Sequence, residues 1–516
     1  MIRKKLFPFL VFSLLLVLVE SAIALLIHIN RPEDIPVTRV ITGFGFSSQF
    51  IDPAAVDAFM VDTLRRTGLA GAILAISKND QILYTAGYGY TSKGLRITAD
   101  TPMPIASLTK SFTAAGIMQL VEAGKLGLQN PVQEYLPEFE LADPRGRQIT
   151  IRQLLNQTSG LGTQGLPPEP SRLPKSLAER IQWLRAATLL SDPGKKFQYC
   201  NDNFNVLARA IERVSGEPYA KFLENHLLGP MNMHSTRFYL TTREPMPGVD
   251  AGYKLLYGAL IARQMPDEVA GGAGGIVSSA NDLARWLVLH STGGKSAEGK
   301  TILSPESIAA MHTASAPGSN YGFGWRQESL PDGTKTVHHS GKQQTFNAHQ
   351  RLFPQTGYAY AFVINADHSF NAEAASFISG LNAIIAGRKP TIPPGAITFG
   401  LPFSLVVDNV AAILSIFVLT IGIVGSVRAP DWAVRRAKEP SWRVASRFVP
   451  YALLSMSIIV LPWLMGAMNR GVSPSLGVLF SVWPPLVILF VAASASGISV
   501  FALRMICITS VKRRGR

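Results

Sequence analysis

The chain has 516 residues, enough for roughly two or three ordinary domains, and its mean hydropathy of +0.19 is too high for a wholly soluble protein. Its formal net charge is +15, which would favour a nucleic-acid partner if that charge lay on a folded domain. Residues 30–400 carry 34 basic and 30 acidic side chains, so only +4 lies there and +11 lies towards the ends. We therefore expect no nucleic-acid partner.

The surplus apolar residues lie in separate runs at the two ends of the chain. The first follows Arg3-Lys4-Lys5 and predicts a signal peptide or a membrane anchor over residues 1–29. Later runs approach the roughly 20 residues that cross a bilayer, and they are Asn409 to Val427, Val449 to Met468 and Gly477 to Leu503. These runs predict three transmembrane helices over residues 405–508, after a Pro-rich linker over residues 389–404.

Basic residues flank these runs unevenly. One cluster precedes the first run, a second fills the loop between Arg428 and Arg447, and a third forms a basic tail over residues 509–516. By the positive-inside rule all three clusters face the cytoplasm. We expect a multi-pass protein of the cytoplasmic (inner) membrane, with residues 30–400 on the periplasmic or extracellular side. The lipid bilayer is then a partner, and the membrane region is a candidate surface for a homodimer. Cys200 and Cys507 would lie in different compartments, so we expect no disulfide between them.

Residues 50–388 have the pattern of one mixed domain. Apolar spacing predicts a helix from Pro53 to Thr67, and two strand-like runs around Asn79-Asp80 predict a hairpin. Helical patterns fill the middle of the domain, including Leu177 to Leu190. Strand-like runs return late in the domain, before a last helix from Glu373 to Ala386, and they are Tyr321 to Arg326, Thr334 to His339, Gln344 to Phe353 and Tyr358 to Asn365. Strands at both ends with helices between them predict an α/β (α+β) fold, in which a mixed antiparallel sheet is flanked by helices and carries a helical subdomain.

Ser107-Leu108-Thr109-Lys110 is the one Ser-x-x-Lys in the sequence. A serine hydroxyl is a poor nucleophile until a base takes its proton, and residues at i and i+3 of a helix share a face, so Lys110 can point at Ser107. A helix that begins here would also direct free backbone N–H groups towards a developing oxyanion. Taken alone, the motif fits equally well a helix N-cap followed by a solvated lysine.

Two further stretches supply groups that such a nucleophile needs. Tyr199-Cys200-Asn201 places a phenol that can carry a proton beside an amide that can bind a substrate carbonyl. Ser340 and Gly341 follow His339 at the end of a predicted strand. Gly341 would let a substrate backbone approach the strand edge, and the N–H of Lys342 would complete an oxyanion hole. The alternatives are a buried tyrosine before a helix cap and a strand that ends in a turn.

In this order and at these spacings the three stretches resemble the penicillin-recognising serine hydrolases. That β-lactamase/transpeptidase-like family includes class C β-lactamases, D-alanyl-D-alanine carboxypeptidases, D-aminopeptidases and related esterases. The resemblance covers about residues 50–388. It implies that Ser107 is the acylated nucleophile, Lys110 the base or its electrostatic partner, and Tyr199 the proton shuttle. It also implies a set of substrate-binding residues, namely Asn201, His339, Ser340, Gly341 and Lys342. We expect no metal and no cofactor.

Departures from the family pattern narrow the expected chemistry. His339 stands where β-lactamases have the lysine of Lys-Thr-Gly, and an imidazole is neutral for much of the time at pH 7, so efficient β-lactam hydrolysis is not expected. Gln157 replaces a usual histidine before Thr-Ser-Gly, and we interpret it as structural. Cys200 stands where serine is usual, and we interpret it as a small filler without a redox role.

The sequence therefore predicts a membrane-anchored serine hydrolase that works through an acyl-enzyme on a small peptide or ester. A peptidase or amidase for D-amino-acid-containing peptides, from the cell wall or from prodrug maturation, is the leading hypothesis. The three spans resemble those of prodrug-activating peptidases, although Pro104 lacks the acidic side chain expected there for recognition of the N-acyl-D-asparagine cap. The alternatives are an esterase of the same family and a non-catalytic receptor for peptidoglycan or β-lactams.

Overall fold

The computed structural model describes residues 34–40, 51–168, 172–315, 318–368, 372–390, 397–398, 401–468 and 476–514. The predicted signal peptide or anchor over residues 1–29 lies outside these ranges, as does part of the predicted linker. Strands of the described chain are β1 (Val37–Val40), β2 (Gly71–Lys78), β3 (Gln81–Gly89), β4 (Met103–Pro104), β5 (Arg237–Phe238), β6 (Gly252–Leu256), β7 (Ala259–Arg263), β8 (Ile276–Ser278), β9 (Arg326–Ser329), β10 (Lys335–Gln343), β11 (Phe346–Phe353), β12 (Tyr358–Ile364), β13 (Ala366–Asp367), β14 (Ile397–Thr398) and β15 (Leu401–Pro402).

The α-helices lie mainly in the middle of the chain and at its carboxyl end. They are α1 (Pro53–Thr67), α2 (Thr109–Glu122), α3 (Ile151–Leu155), α4 (Leu177–Trp183), α5 (Asp202–Ser215), α6 (Tyr219–Leu223), α7 (Gly271–Gly274), α8 (Ala280–Ser291), α9 (Pro305–His312), α10 (Ala372–Ile385), α11 (Phe403–Val427), α12 (Ala429–Arg436), α13 (Ser441–Ser446), α14 (Val449–Met468), α15 (Leu476–Val482) and α16 (Pro484–Arg514).

A seven-stranded antiparallel sheet organises the large domain, with the strand order β1-β3-β2-β12-β11-β10-β9. Strands from the two ends of the domain therefore meet at the pairing of β2 with β12. Helices α1 and α10 cover one face of the sheet, while α8 and α2 pack on the other. Because both faces are covered, β2 and β12 are almost wholly buried instead of alternating between core and solvent. The predicted fold class is confirmed.

Local signals in the sequence explain several element boundaries. Asp52 caps α1 by accepting a hydrogen bond from the N–H of Ala54, Pro53 occupies the first turn, and Gly68 ends the helix in the left-handed conformation at φ +73°. The predicted hairpin forms, and its turn contains Asn79 at φ +52°, a conformation that asparagine tolerates better than most residues.

Two predicted elements differ from the structure. The helix expected from Leu177 to Leu190 ends at Trp183, because the segment beyond it pairs with the loop at residues 160–165 through Thr188 N–H to Gly165 O and Leu190 N–H to Gly160 O. The strand expected from Tyr321 to Arg326 is a tight turn instead, and regular pairing with β10 begins at Arg326. Tertiary contacts override the local pattern in both places.

Near the carboxyl end of the described chain, three helical segments are long and apolar enough to cross a membrane. They are Phe403–Val427, Ser441–Met465, which joins α13 to α14, and Pro484–Arg514. Helices α11 and α14 both pack against α16, and the β6–β7 hairpin of the large domain contacts α11. The last segment starts later than the predicted run from Gly477, because α15 precedes it as a separate short helix.

Candidate active site

Ser107 lies in a 3-10 turn, Ala106–Leu108, that leads directly into α2. The preceding residue, Ala106, has φ +49°, which a residue with a Cβ rarely adopts. Strand β10 packs closely against this turn at Gly341, where a Cβ atom would lie 2.4 Å from the carbonyl oxygen of Ile105. Gly341 therefore allows close packing against the nucleophile turn, and the substrate approach that we expected of it stays a prediction.

Lys110 is completely buried and directs its Nζ atom at the nucleophile. Its Nζ atom lies 3.1 Å from Ser107 Oγ, 2.9 Å from Asn201 Oδ1 and 2.9 Å from the carbonyl oxygen of Ala273. Neither of the last two oxygens can donate, so each takes one N–H of the lysine. The remaining position on Nζ faces Ser107, where an ammonium would donate and a neutral amine would accept the serine proton.

Tyr199 approaches the same oxygen from another side, with its hydroxyl 3.1 Å from Ser107 Oγ. The loop that carries it is held by Gln157, which has φ +63°. Gln157 Oε1 accepts hydrogen bonds from the N–H of Cys200 at 2.9 Å and from Nδ2 of Asn203 at 2.5 Å. The interpretation of Gln157 as structural fits these contacts, and the structure it supports is the tyrosine loop of the site.

Cys200 is buried behind this loop. Burial raises the pKa of its thiol to about 12, with the nearby carboxylate of Asp202 acting in the same direction. A thiol with so high a pKa is a weak nucleophile and is slow to oxidise. These properties fit the interpretation of Cys200 as a filler.

His339 is buried between the nucleophile and the aromatic residues of the site. Its Nδ1 lies 2.8 Å from the carbonyl oxygen of Ser340, which can only accept, so Nδ1 carries the proton. Its Nε2 is then the acceptor for the hydroxyl of Tyr321 at 3.1 Å. Burial, followed by the positive charge of Lys110, lowers the pKa of His339 well below its usual value of 6.5. The imidazole is therefore neutral at pH 7.

The remaining substrate-binding candidates lie at the outer end of β10. Ser340 is exposed and its hydroxyl lies 2.9 Å from Nδ1 of His349. The Lys342 ammonium is directed at a buried group, 3.2 Å from Asp367 Oδ1 and 3.0 Å from the carbonyl oxygen of His368. The charge of Lys342 is therefore engaged with Asp367, and the contribution of its backbone N–H to an oxyanion hole stays a prediction.

An open cleft of about 1390 Å³ lies over the candidate site, and Tyr199, His339 and Ser340 line it. No motif in the sequence indicated its three basic lining residues, Lys195, Lys196 and Arg326. Tyr321 was given no role in the site from the sequence, yet it contacts His339 and packs edge-on against Tyr199 with ring centroids 6.1 Å apart. Gly324 allows the turn that carries Tyr321 to pass close to Lys110, because a Cβ atom at this position would lie 2.7 Å from the lysine carbonyl oxygen.

Comparison with known proteins places this site in a family. The family model described as Beta-lactamase matches residues 56–381. Protein flp of Staphylococcus aureus (strain COL) is 26% identical over 344 residues, which cover 65% of this chain and 66% of flp. The chain therefore matches slightly less than two thirds of the length of that relative.

Solved structures show the same fold. The octameric penicillin-binding protein homologue from Pyrococcus abyssi has a TM-score of 0.55 at 27% identity, covering 67% of this chain and 80% of that one. A D-amino acid amidase from Ochrobactrum anthropi SV3 has a TM-score of 0.51 at 24% identity, covering 61% and 91%. The fold is that of a β-lactamase/transpeptidase-like domain. The chain belongs to the β-lactamase family, as the three motifs predicted.

Proposed function

We propose that this protein is a serine hydrolase that forms an acyl-enzyme on Ser107 and acts as a peptidase or amidase on D-amino-acid-containing peptides. The observation that carries the proposal is the position of Ser107 Oγ, 3.1 Å from both Lys110 Nζ and the Tyr199 hydroxyl. A nucleophile with one group that can take its proton and another that can protonate a leaving group is equipped for acyl transfer.

In the proposed reaction, the Lys110 amine takes the Ser107 proton while Oγ attacks the substrate carbonyl carbon. The backbone N–H groups of Ser107 and Lys342 bind the oxyanion. Tyr199 gives its proton to the leaving nitrogen as the scissile bond breaks, and it regains a proton from the Lys110 ammonium. Water then adds to the acyl-enzyme and loses a proton to the same pair. Cleavage of the ester bond releases the acid and returns the proton to Ser107.

The contacts of β10 favour a peptide over a penicillin as the substrate. His339 is neutral and both its ring nitrogens are engaged, so it offers no fixed cation where β-lactamases have a lysine. Lys342 does not replace that cation, because its ammonium contacts Asp367. The cleft still carries positive charge on Lys195, Lys196 and Arg326. These cations suit a substrate with an acidic group. None of them occupies the place of the lysine of β-lactamases, which His339 takes here.

Fold similarity to a D-amino acid amidase also supports an amide substrate. We propose to compare kcat/KM for D-aminoacyl peptides, N-acyl-D-asparaginyl amides and short-chain esters. The D-peptides or D-amides should be preferred by at least about tenfold, which is roughly 1.4 kcal/mol of transition-state binding. A clear preference for the esters would refute the peptidase assignment and leave the acyl-enzyme mechanism intact.

Intact-mass analysis of the full chain in detergent, after treatment with a fluorophosphonate or a β-lactam, tests the acyl-enzyme directly. We expect one adduct on the wild-type protein and none on Ser107→Ala. Ser329→Ala, which removes an exposed hydroxyl from β9 outside the cleft, should label like the wild type. An unlabelled wild-type protein, or an equal adduct on Ser107→Ala, would refute acyl-enzyme formation at Ser107.

We further propose that the three carboxyl-terminal helical segments anchor the protein in the cytoplasmic membrane with the catalytic domain outside. Their length and apolarity support a bilayer location, and the basic residues between Arg428 and Arg447 support a cytoplasmic position for that loop. A reporter fused after Arg516 should then behave as cytoplasmic. An external signal from that reporter would overturn the orientation.

A further inference from the structure

Behind Ser340, on the neighbouring strand β11, lies a buried histidine that the proposed reaction does not use. His349 is the register partner of Ser340, so the two side chains share one face of the sheet. The ring of His349 is 2% exposed, and it is stacked against His338 and Phe362 with centroid distances of 5.5 and 5.8 Å. Packing therefore fixes the ring plane, and Nδ1 faces the Ser340 hydroxyl at 2.9 Å.

The other ring nitrogen reveals which tautomer His349 adopts. Arg351 Nε lies 3.5 Å from His349 Nε2, and a guanidinium can only donate, so Nε2 is the acceptor. Burial and the charge of Arg351 lower the pKa of His349 well below its usual value, so the ring is neutral and carries a single proton. That proton must be on Nδ1. The N–H at Nδ1 therefore donates to Ser340 Oγ.

Arg351 is itself held in place, which makes the arrangement fixed. Its side chain is 3% exposed, with Nη1 2.9 Å from Thr336 Oγ1 and Nη2 2.6 Å from Glu328 Oε2. Four residues thus form a chain of hydrogen bonds, in which Arg351 donates to both Glu328 and His349, and His349 donates to Ser340. Because the Ser340 oxygen accepts from His349, its own O–H is available as a donor. Within the described part of the chain, that O–H meets no acceptor.

We propose that His349 is a positioning residue, which holds the Ser340 hydroxyl as a hydrogen-bond donor towards an acceptor oxygen in the leaving-group half of the substrate. The inference rests on the proposed function, since it presumes that a substrate acylates Ser107. Ser340 is exposed to the cleft that also contains Lys195, Lys196 and Arg326. A donor among these cations fits a carboxylate better than any other acceptor.

Synthetic boronates can test this role while the natural substrate is still unidentified. Phenylboronic acids bind reversibly to an activated serine, and their affinity can be measured by how well they protect Ser107 of the full chain from a fluorophosphonate. We would compare phenylboronic acid with its meta-carboxylate and meta-carboxamide derivatives. Two variants are compared with the wild type: His349→Phe keeps the ring but loses the N–H, and His349→Asn keeps a donor near the Nδ1 position.

We expect the carboxylate to increase affinity in the wild-type protein and in His349→Asn. In His349→Phe the advantage should fall by about tenfold, the value of one hydrogen bond to a charged acceptor, while plain phenylboronic acid binds unchanged. A gain from the carboxamide equal to that from the carboxylate would instead identify a neutral carbonyl as the acceptor, with the role of His349 upheld. The same reduction with every boronate would show a merely structural role.

The outcomes separate this inference from the proposed function. If Ser107 labels normally and the carboxylate advantage survives in His349→Phe, the positioning role is wrong and the acyl-enzyme stands. If Ser107 fails to label in the wild type, the proposed function is refuted, and the inference fails with it. Thermal unfolding of both variants in the same detergent verifies that they fold.

Discussion

The β-lactamase-like domain, which carries the proposed catalytic site and is called the catalytic domain below, uses the same apolar residue types as the carboxyl-terminal helices in the opposite way. In the domain, the large aromatic residues Phe112, Trp286 and Trp325 are completely buried. In the helices, Leu453, Ile459 and Trp463 are 66%, 70% and 67% exposed. Such a surface is unfavourable in water at roughly 25 cal/mol per Å², so it requires an apolar surrounding. The surface of the domain suits water, and the surface of the helices suits the bilayer location proposed above.

Charged side chains are buried in both regions, in different places. The domain contains paired interior charges, such as Arg180 with Asp202 and Lys254 with Asp367. In the described helices, Asp408 of α11 is a fully buried carboxylate, and it accepts from the backbone N–H of Tyr257 at 2.8 Å and from Trp483 Nε1 at 2.9 Å. It also lies 3.4 Å from Nε2 of the buried His368. Tyr257 belongs to the hairpin of the catalytic domain. Asp408 therefore lies where the two regions meet, and substitutions on both sides test the contrast.

The largest expected effect is on chemistry in the catalytic domain. Lys110→Met keeps much of the side-chain volume but removes the group that faces Ser107, so acylation by a fluorophosphonate should slow by about 10³-fold. Adduct formation followed by mass spectrometry measures the rate. Lys335→Met, at the exposed start of β10, is the matched control and should label at the wild-type rate. Retention of more than a tenth of the rate in Lys110→Met would remove Lys110 from the mechanism.

The next effect is on the stability of the catalytic domain. Asp202 receives two hydrogen bonds from Arg180, at 2.7 and 2.9 Å, and the two side chains are 2% and 6% exposed. Asp202→Ala would remove the buried carboxylate that these two N–H groups of Arg180 face, which should cost about 3–5 kcal/mol in the free energy of unfolding. Glu179→Ala breaks the exposed pair with Arg172 and should cost less than about 1 kcal/mol. Denaturant unfolding in detergent compares them, and equal costs would contradict the difference in burial.

A smaller and local effect on stability is expected at Asp408, where the catalytic domain meets α11. Asp408→Leu removes the acceptor for Trp483 and for the Tyr257 N–H, at a cost of about 2 kcal/mol. Opening of the contact between the domain and α11 should become about 30-fold more frequent, with little change in the unfolding of the domain itself. Limited proteolysis between residues 390 and 403 measures that opening. Asp431→Leu, an exposed position in α12, should leave the cleavage rate unchanged.

The fold and the nucleophile could be predicted from local sequence signals, because both depend on short spacings between residues in the chain. Ser107 and Lys110 share one helix face, the Asn79-Asp80 turn specifies a hairpin, and the apolar runs specify their own helices. What sequence alone could not show depends on strand register and close packing. The pairing of β10 with β11 brings His349 to Ser340. The close approach of Gly341 to Ile105 explains why this position of β10 needs a glycine. The early end of α4 likewise follows from a distant loop.

The smallest effect we predict comes from a histidine pair in the catalytic domain. The described carboxyl-terminal helices contain no histidine. His290 Nδ1 lies 2.9 Å from His312 Nε2, and both rings contact Trp325. Burial lowers the pKa of His312 to about 4 and that of His290 well below 6.5. The unfolded chain therefore binds these protons first, so stability is lost as the pH falls from about 6.5 towards 4.

Between pH 7 and pH 5.5 each of these histidines should destabilise the domain by about 1 kcal/mol. Burial also lowers the pKa values of His338, His339 and His349, and these shifts act in the same direction. The share of one ring is isolated by His312→Gln, which removes one titrating group and keeps a hydrogen-bonding side chain beside His290. Its loss of stability between those pH values, followed by tryptophan fluorescence, should be about 1 kcal/mol smaller than that of the wild type. An identical pH dependence in the two proteins would show that His312 is not held neutral. The contrast between the catalytic domain and the carboxyl-terminal helices would then rest on their exposed surfaces alone.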